Sequence, residues 1–331
     1  MYLLNDSFNS GPPQYLHLDI NSCFATVEQL YHLELRNKPL AVVARDTASG
    51  CVLAASYQAK AYGVKTGMRR FEAVKLCPQL LFTTPHPDKY RYIHRQLKQL
   101  LTFVTHLITP RSIDEFVLDL DYNLKLGQDP LNLAQKIKYK IAKEIGPVLT
   151  VSIGLGPSPF IAKTAASFQK PDGLTNISAY NYLDIYSKME LIDFCGIASR
   201  LAPRLNAAGI FTPLDFYAAS LEQLKSVFAS VHAHYWYLNL RGWPLITPPS
   251  PQKSLGHSYV LPSAQPRKLI LPTISQLLER TCQRLRQESL QARGFGLYLG
   301  CQDGPNYFQH VTFPQPVSDH LSFWPPLHRF I

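Results

Sequence analysis

The sequence has no apolar run long enough to cross a membrane, no C-x-x-C pair, and no signal-peptide pattern in residues 1–13. These absences argue against a membrane protein, a cysteine-ligated metal site and a secreted chain. The six cysteines stand singly, so we expect a reduced, cytoplasmic protein whose thiols serve as small core residues. Residues 1–13 are polar and marked by glycine and proline, and they are predicted to form a loose lead-in.

Charged residues make up only 17% of the chain, but 33 Lys and Arg against 23 Asp and Glu give a net charge of +10. The hydrophobic fraction of 46% is that of a globular protein, not a disordered one. The excess of positive charge suits a polyanionic partner, most simply nucleic acid. At 331 residues the chain exceeds one ordinary core, so two to four domains are expected.

Carboxylates stand at the ends of two apolar, strand-like segments. Residues 15–20 lead to Asp19, and residues 110–120 carry Asp114 and Glu115 side by side. Strand positions disfavour Asp, and a half-buried strand seldom carries two adjacent acids. Because Mg²⁺ prefers hard oxygen ligands, three carboxylates brought together would form a magnesium site. The alternative is that Asp114 and Glu115 merely form a hairpin turn.

Strands and helices alternate through the first half of the chain. Strands are predicted at 15–20, 39–43, 51–55, 149–153 and 174–177, and helices at 23–30, 56–62, 69–76, 89–106, 131–145 and 158–168. This order predicts an α+β fold with helices on one face of a sheet. Beyond residue 178, a glycine-containing turn at 205–210 joins short helices. It is either a hairpin that offers backbone N–H groups to a phosphate or an ordinary helical hairpin with a glycine C-cap.

A proline-rich segment at 244–251 predicts a stiff linker to a further unit. That unit has predicted strands at 253–261, 294–302 and 307–313 and a helix at 269–291. Its β-α-β-β start resembles half of a ferredoxin-like unit. The sequence stops within the next predicted helix, so we expect this unit to be incomplete.

If the three carboxylates meet, the natural chemistry is phosphoryl transfer with two Mg²⁺ ions. One ion would activate an attacking hydroxyl, and the other would stabilise the leaving pyrophosphate. A triphosphate also needs cations, for which Lys60, Lys163 and Lys170 are candidates. The alternative for each lysine is a solvated surface position.

Several segments together resemble the Y-family (translesion) DNA polymerases, closest to the polymerase IV type. The resemblance runs in the family's order from about residue 15 to at least 313. It rests on the motifs HLDINSCFATVE (17–28), LAASYQAKAYGV (53–64), SIDE (112–115), VSIGLG (151–156) with AK (162–163), KPDG (170–173) and KSLGHS (253–258).

The resemblance implies a right-hand polymerase fold. Its parts would be a palm at 1–21 and 87–177, fingers at 22–86, a helix-hairpin-helix thumb at 178–245, a linker at 246–252, and a ferredoxin-like little finger at 253–331 that is truncated at its C-terminus. It also implies a template-directed DNA polymerase of low fidelity that acts in translesion synthesis. Its partners would be primer-template DNA and deoxynucleoside triphosphates. A sliding clamp is a further partner without a clear motif in this chain, and a monomer is the default state.

Carried over by motif, Asp19, Asp114 and Glu115 would be the catalytic metal ligands, joined by the carbonyl of Ile20. Phe24 occupies the position of the steric gate, an aromatic ring that a ribose 2′-OH would strike. The alternative for Phe24 is a plain core aromatic.

Tyr57, Lys60 and Lys170 match the triphosphate-binding positions. Lys60 departs from the arginine usual in the polymerase IV type, and a lysine cannot fork onto two phosphate oxygens. Asn21 and Cys23 also depart from the usual residues and lean toward the polymerase V catalytic subunit.

The resemblance further places Gly50, Cys51 and Leu53 over the templating base. The arginines of the little finger would hold duplex phosphates, so binding should weaken with salt. These are Arg280, Arg284, Arg286 and Arg293.

Three alternatives stay open at this point. The first is a catalytically weak or inactive family relative that acts as a DNA-binding accessory protein. The second is a sequence-independent DNA-binding module, which leaves the acidic strands unexplained. The third is a nucleotide cyclase, which would have no use for a thumb and a little finger.

Overall fold

The computed structural model describes residues 6–245, 254–261, 263–302 and 304–329. The chain divides into two compact units, 1–246 and 247–331. The predicted linker at 246–252 lies outside the described residues. Across the described ranges, no helix combines the length and the apolar character that crossing a bilayer requires.

The first unit holds two sheets and twelve α-helices within its described residues. In chain order its elements are β1 Tyr15–Ile20, α1 Cys23–Tyr31, β2 Leu40–Val43, β3 Val52–Ala55, α2 Tyr57–Lys60, α3 Arg70–Leu76, β4 Leu81–Thr83, α4 Pro87–Leu101, β5 Ile108–Pro110, β6 Glu115–Asp119, α5 Asp121–Lys125, α6 Pro130–Glu144, β7 Val151–Gly156, α7 Pro159–Phe168, β8 Leu174–Asn176, α8 Tyr182–Ser187, α9 Ala202–Ala207, α10 Pro213–Ala218, α11 Leu221–Phe228 and α12 His232–Leu240.

The larger sheet has five strands in the order β5-β6-β1-β7-β8. Its central strand β1 is antiparallel to both neighbours, so Asp19 lies opposite Glu115 on β6 and Ser152 on β7. Strand β8 runs parallel to β7. The α+β class and the two acid-bearing strands predicted from the sequence are confirmed.

One face of this sheet carries the main core. Alternate residues of β1, namely Leu16, Leu18 and Ile20, are at most 1% exposed and pack among the apolar residues of α4 and α6. The three-to-four-residue spacing of buried residues along α4 fits this contact.

The opposite face is covered by α7, because β7 carries glycine there. A Cβ on Gly154 would lie 2.0 Å from the carbonyl oxygen of Ala162, and one on Gly156 would lie 2.5 Å from the side chain of Ile161. Only glycine lets the helix backbone approach this closely. The prediction of helices on one face was therefore wrong, and the residues of β1 that face α7 include His17 and Asp19.

A smaller three-stranded sheet in the order β3-β2-β4 packs with α2 and α3 around its own core. The helices from α8 to α12 form a separate cluster rich in aromatic residues. Within it, Gly209 follows α9 with a φ of 78°, and the N–H of Ile210 reaches back to the carbonyl of Leu205. This is the glycine C-cap that the sequence offered as the plainer interpretation of the hairpin.

Residues 6–9 are anchored, which corrects the predicted loose lead-in over this described part. Residues 6–9, the N-terminal strap, lie against the end of α12. Phe8 is 5% exposed and stacks on Tyr182 with ring centroids 4.2 Å apart. The buried guanidinium of Arg241 donates to the carbonyl of Asp6, and Asn9 donates from its backbone N–H to the carbonyl of Arg241.

In the second unit the described elements are α13 Leu271–Gln287, β9 Ala292–Leu299, β10 Tyr307–Val317 and α14 His320–His328. Strands β9 and β10 form an antiparallel pair, as predicted. The predicted strand at 253–261 is wrong over its described part, 254–261, where no strand forms. Val260 in this segment is 80% exposed, so it does not pack against a sheet.

All six cysteines are free thiols. Cys23, Cys77 and Cys282 are buried, as expected for small core residues. The expectation fails for the other three, Cys51, Cys195 and Cys301, which are exposed.

Candidate active site

Two carboxylates face each other on neighbouring central strands. Asp19 is the next-to-last residue of β1 and Glu115 is the first residue of β6, and their side chains are 15% and 20% exposed. The side chain of His17 lies on the same face of β1, two residues before Asp19. One ligand atom from each of these three residues lies within 4.8 Å of the other two. The sheet therefore builds a group that could hold a metal ion.

Asp114 sits next to this cluster but is not one of its three members. It belongs to the turn between β5 and β6, where its carboxylate accepts a hydrogen bond from the Ser112 hydroxyl. Its carbonyl accepts a 3.0 Å hydrogen bond from the N–H of Ile20. Both interpretations of the acidic pair thus apply: a hairpin turn carries Asp114, and the first strand position carries Glu115.

Each of the two facing carboxylates is paired with a lysine. Lys170 Nζ lies 2.7 Å from Asp19, and Lys163 Nζ, supplied by α7, lies 2.6 Å from Glu115. Burial raises the pKa of Asp19 although the charge of Lys170 opposes this effect. Burial alone would lower the pKa of Lys163, but the hydrogen bond and the charge of Glu115 outweigh it and raise that pKa.

His17 is 1% exposed, and its Nε2 lies 3.7 Å from Glu115 Oε2. Neither ring nitrogen has a hydrogen-bond partner among the described residues. Burial, followed by the charges of Lys163 and Lys170, lowers the pKa of His17 to about 3, so the imidazole is neutral. The sequence interpretation gave this residue no role, although its spacing of two from Asp19 on a strand was a usable signal.

Phe24 occupies the first turn of α1 and is half-buried. Its ring stacks on Tyr90 of α4, with centroids 4.3 Å apart and an interplanar angle of 11°. The Tyr90 hydroxyl donates a 2.7 Å hydrogen bond to the buried carboxylate of Glu28, which Lys89 and His86 also contact. Tyr90 and Glu28, which sequence reasoning missed, therefore fix the surface on which Phe24 rests.

Tyr57 and Lys60 belong to α2 and contact each other, with Lys60 Nζ 4.4 Å from the centroid of the Tyr57 ring. Burial raises the pKa of Tyr57, and the charge of Asp19 adds to this effect. Burial lowers the pKa of Lys60, and the charge of Lys170 lowers it further. The structure thus brings the predicted triphosphate residues into electrostatic contact with Asp19 and with one another.

The residues predicted to lie over the templating base stand at the start of β3. A Cβ on Gly50 would lie 2.1 Å from the carbonyl oxygen of Arg45, so this position requires glycine. Cys51 is exposed and forms a β-bridge with Arg69, and Leu53 is half-buried.

The predicted DNA-binding arginines all lie in the second unit, but in two different environments. Arg284 donates to the carbonyl of Gly256, and Arg286 donates to Glu279 and to the carbonyl of Ser318. Arg280 and Arg293 are exposed.

The donor set fits a hard divalent cation. Two carboxylates supply oxygen ligands, and each is already paired with an ammonium group that stands in for positive charge. The orphaned nitrogens of His17 add a buried polar group beside them. A sheet with paired carboxylates on neighbouring strands, flanked by lysines, is an arrangement that metal-dependent phosphoryl transfer can use.

Comparison with known proteins shows which family of enzymes this chain resembles. The model of the impB/mucB/samB family matches residues 18–167. DNA polymerase IV of Bacteroides fragilis is 31% identical over 92% of this chain and 83% of its own length. DNA polymerase IV of Pelotomaculum thermopropionicum is 35% identical over 85% of this chain and 71% of its own length.

Solved structures agree. A Y-family DNA polymerase chimera shares a TM-score of 0.78 and 25% identity over 92% of this chain and 89% of its own. An insertion ternary complex of Dbh DNA polymerase has a TM-score of 0.64 at 25% identity, with the same shares covered. The chain belongs to the Y family of DNA polymerases, and its activity is that of a DNA-directed DNA polymerase.

Proposed function

We propose that this polymerase adds deoxynucleotides to a primer 3′ end with two Mg²⁺ ions at the facing carboxylates of β1 and β6. Asp19, Asp114 and Glu115 would hold the ions, with the carbonyl of Ile20 as a further ligand. The observation that carries the proposal is the register that sets Asp19 opposite Glu115, each paired with a lysine. Asp114 joins by a rotation of its side chain away from Ser112.

The parts of the fold receive the roles that the family resemblance implies. The palm would comprise 1–21 and 87–177 around the five-stranded sheet, and the fingers 22–86 around the three-stranded sheet. Residues 178–245 would form the thumb, and 253–331 the little finger. The core around the three-stranded sheet lies wholly within 22–86, and most residues of the aromatic-rich cluster lie within 178–245, which supports this division.

In the chemical step the bound Mg²⁺ supplies Lewis-acid activation of the primer hydroxyl and charge neutralisation at the triphosphate. The chain's own residues bind and orient the nucleotide. Lys170 now neutralises the charge of Asp19. With a metal ion bound to that carboxylate, the Lys170 ammonium would be free to move to the triphosphate. Tyr57 and Lys60 would contact the same phosphates from α2.

Phe24, backed by Tyr90, would exclude a 2′-hydroxyl by contact with the sugar. Gly50, Cys51 and Leu53 would border the templating base, where an exposed, small side chain at Cys51 leaves room for an altered base. This arrangement supports low-fidelity synthesis across lesions. Primer-template DNA and deoxynucleoside triphosphates are the partners that we propose, and a neighbour of the same fold is itself an insertion ternary complex.

Primer extension tests the proposal. Glu115→Gln keeps the shape of the side chain and removes its charge, so we expect nucleotide addition to fall by about 10³-fold, equivalent to about 4 kcal/mol of transition-state stabilisation. Asp121→Asn is the matched control, since Asp121 is an acid at the start of α5, beyond the far end of β6, that pairs with Lys125. Extension by Glu115→Gln at the wild-type rate would refute the proposed metal site.

A further inference from the structure

His17 is the buried polar side chain that the proposed chemistry leaves unused. A neutral imidazole has one N–H donor and one bare acceptor nitrogen, and both ring nitrogens of His17 lack a partner among the described residues. Buried polar groups are almost always hydrogen-bonded. The unpaired imidazole of His17 therefore indicates that it forms a hydrogen bond in another state of the site, such as the metal-bound state. An apolar side chain of the same size would fill this space without that cost.

The nearest polar atom given for His17 is the carboxylate of Glu115. Nε2 lies 3.7 Å from Oε2, about half an ångström beyond hydrogen-bond range. The same Oε2 accepts a 2.6 Å hydrogen bond from Lys163. The Lys163 ammonium and His17 Nε2 thus lie near the same carboxylate oxygen, and Lys163 is the group that donates a hydrogen bond to it.

Strand register limits what His17 can do. It lies opposite Val117 on β6 and Gly154 on β7, two pairs along the strands from the Asp19–Glu115 pair and on the side covered by α7. The imidazole therefore approaches Glu115 from within the protein, whereas a nucleotide must approach from solvent. From that direction a side chain can hold one carboxylate oxygen and leave the other free.

We propose that His17 is a positioning residue for Glu115. With a metal ion held at this carboxylate, Nε2–H of His17 would donate to Oε2 in place of Lys163, which would leave Oε1 as the oxygen available to the ion. The inference rests on the proposed function, because it presumes that Glu115 is a metal ligand. Groups that orient a metal ligand in this way typically change metal affinity 10- to 100-fold when removed.

The experiment measures Mn²⁺ binding by electron paramagnetic resonance, without nucleotide, alongside steady-state primer extension. His17→Phe removes the donor and keeps the volume. His17→Gln puts an amide nitrogen near the position of Nε2, and His17→Asn puts it near Nδ1. Val117→Ala is the packing control, because Val117 is a buried residue that lies opposite His17 in the strand pairing.

We expect about a 10- to 100-fold weaker Mn²⁺ affinity for the Phe and Asn variants. Glutamine should restore most of the loss, and Val117→Ala should bind Mn²⁺ as the wild type does. Loss of kcat should exceed any change in the KM for nucleotide. If the Phe variant does not fold, the contrast between Gln and Asn decides the matter.

Equal Mn²⁺ affinity in wild type, Gln and Asn variants would overturn the inference. So would a nitrogen hyperfine coupling that is lost with His17, because it would make His17 a direct ligand. Failure of the proposed function has a different signature: Glu115→Gln would then bind Mn²⁺ as tightly as the wild type.

Discussion

At the scale of single residues, the role that we propose for Phe24 depends on its neighbour. The ring is stacked on Tyr90, and Tyr90 donates a hydrogen bond to Glu28, so a steric gate at Phe24 would be held in place by this contact. We expect Phe24→Val to lower the preference for deoxynucleotides over ribonucleotides by about 100-fold, or about 2.7 kcal/mol. The ratio of kcat/KM for dNTP and rNTP measures it.

Phe71→Val provides the control, since Phe71 is an aromatic residue of α3 that is 40% exposed. It should leave the ratio of the two substrates unchanged. An unchanged ratio in Phe24→Val would show that Phe24 is a core aromatic without a gating role.

Lys60 is the second residue whose chemistry can be tested directly. Its ammonium lies over the Tyr57 ring, and desolvation, followed by the charge of Lys170, lowers its pKa. An arginine would stay charged and could fork onto two phosphate oxygens. We therefore expect Lys60→Arg to lower the KM for dNTP by about threefold to tenfold, about 1 kcal/mol, with little change in kcat.

The same exchange at Lys65, an exposed lysine in the turn after α2, should leave the KM unchanged. A higher KM in Lys60→Arg would mean that the pocket is shaped for lysine and that the larger head group clashes.

Which site residues the sequence could predict depends on how local their signal is. Asp19 and Glu115 are out of place in apolar strands, and this oddity can be seen without a fold. The partners of these acids cannot be found in that way. Lys163 reaches Glu115 only because α7 crosses the face of the sheet that holds both acids. The same helix covers His17, whose ring nitrogens are buried without a hydrogen-bond partner among the described residues.

At the scale of elements, the position of α7 follows from two glycines. Periodicity predicted the helix but could not assign it to a face of the sheet. The signal was the spacing of Gly154 and Gly156, which places both on one face of β7 and opens that face to close backbone contact. An alternating glycine pair in a buried strand thus indicates a helix packed directly on it.

The N-terminal strap is an element that composition alone described wrongly. Polar residues with one glycine and two prolines predicted a loose segment. Phe8 instead packs against Tyr182 and lies within about 3.4 Å of where a Cβ on Gly242 would stand. We expect Phe8→Ala to lower the free energy of unfolding by about 3 kcal/mol, as for other large-to-small changes in cores. Urea unfolding followed by the fluorescence of Trp236 and Trp243 reports on this region.

Tyr180→Ala serves as the control, because Tyr180 is fully exposed and lies two residues before Tyr182, the ring on which Phe8 stacks. It should change the unfolding free energy by less than about 0.5 kcal/mol. A similarly small effect of Phe8→Ala would mean that the strap contributes nothing to stability.

At the scale of the whole molecule, the positive charge is unevenly shared. Residues 247–331 hold eight Lys and Arg against four Asp and Glu, so about a quarter of the chain carries four of the ten net charges. The sequence predicted the helix and the strand pair of this unit, since each has a local pattern. It failed at 254–261, because a strand exists only where another strand pairs with it.

The salt dependence of DNA binding can separate arginines that hold DNA from arginines that hold the second unit together. Arg280, Arg286 and Arg293 are exposed, but Arg286 donates to the carbonyl of Ser318, and the half-buried Arg284 donates to that of Gly256. We expect Arg280→Gln/Arg293→Gln to make the plot of log K against log salt shallower by about 1.8, the value for two lost phosphate contacts. Fluorescence anisotropy with a primer-template between about 50 and 200 mM salt measures this slope.

The pair Arg284→Gln/Arg286→Gln should behave differently, since each side chain already has a partner within its own unit. Its main effect should be on stability, about 1 kcal/mol for each lost hydrogen bond to a charged group, with a slope close to that of the wild type.

Lys125→Gln/Lys188→Gln removes two charges from ion pairs in the first unit and controls for net charge alone. If that control flattens the slope as much as the Arg280/Arg293 pair does, the charge of the whole molecule, not the second unit, governs DNA binding. A slope change confined to the exposed pair would instead place two phosphate contacts at Arg280 and Arg293.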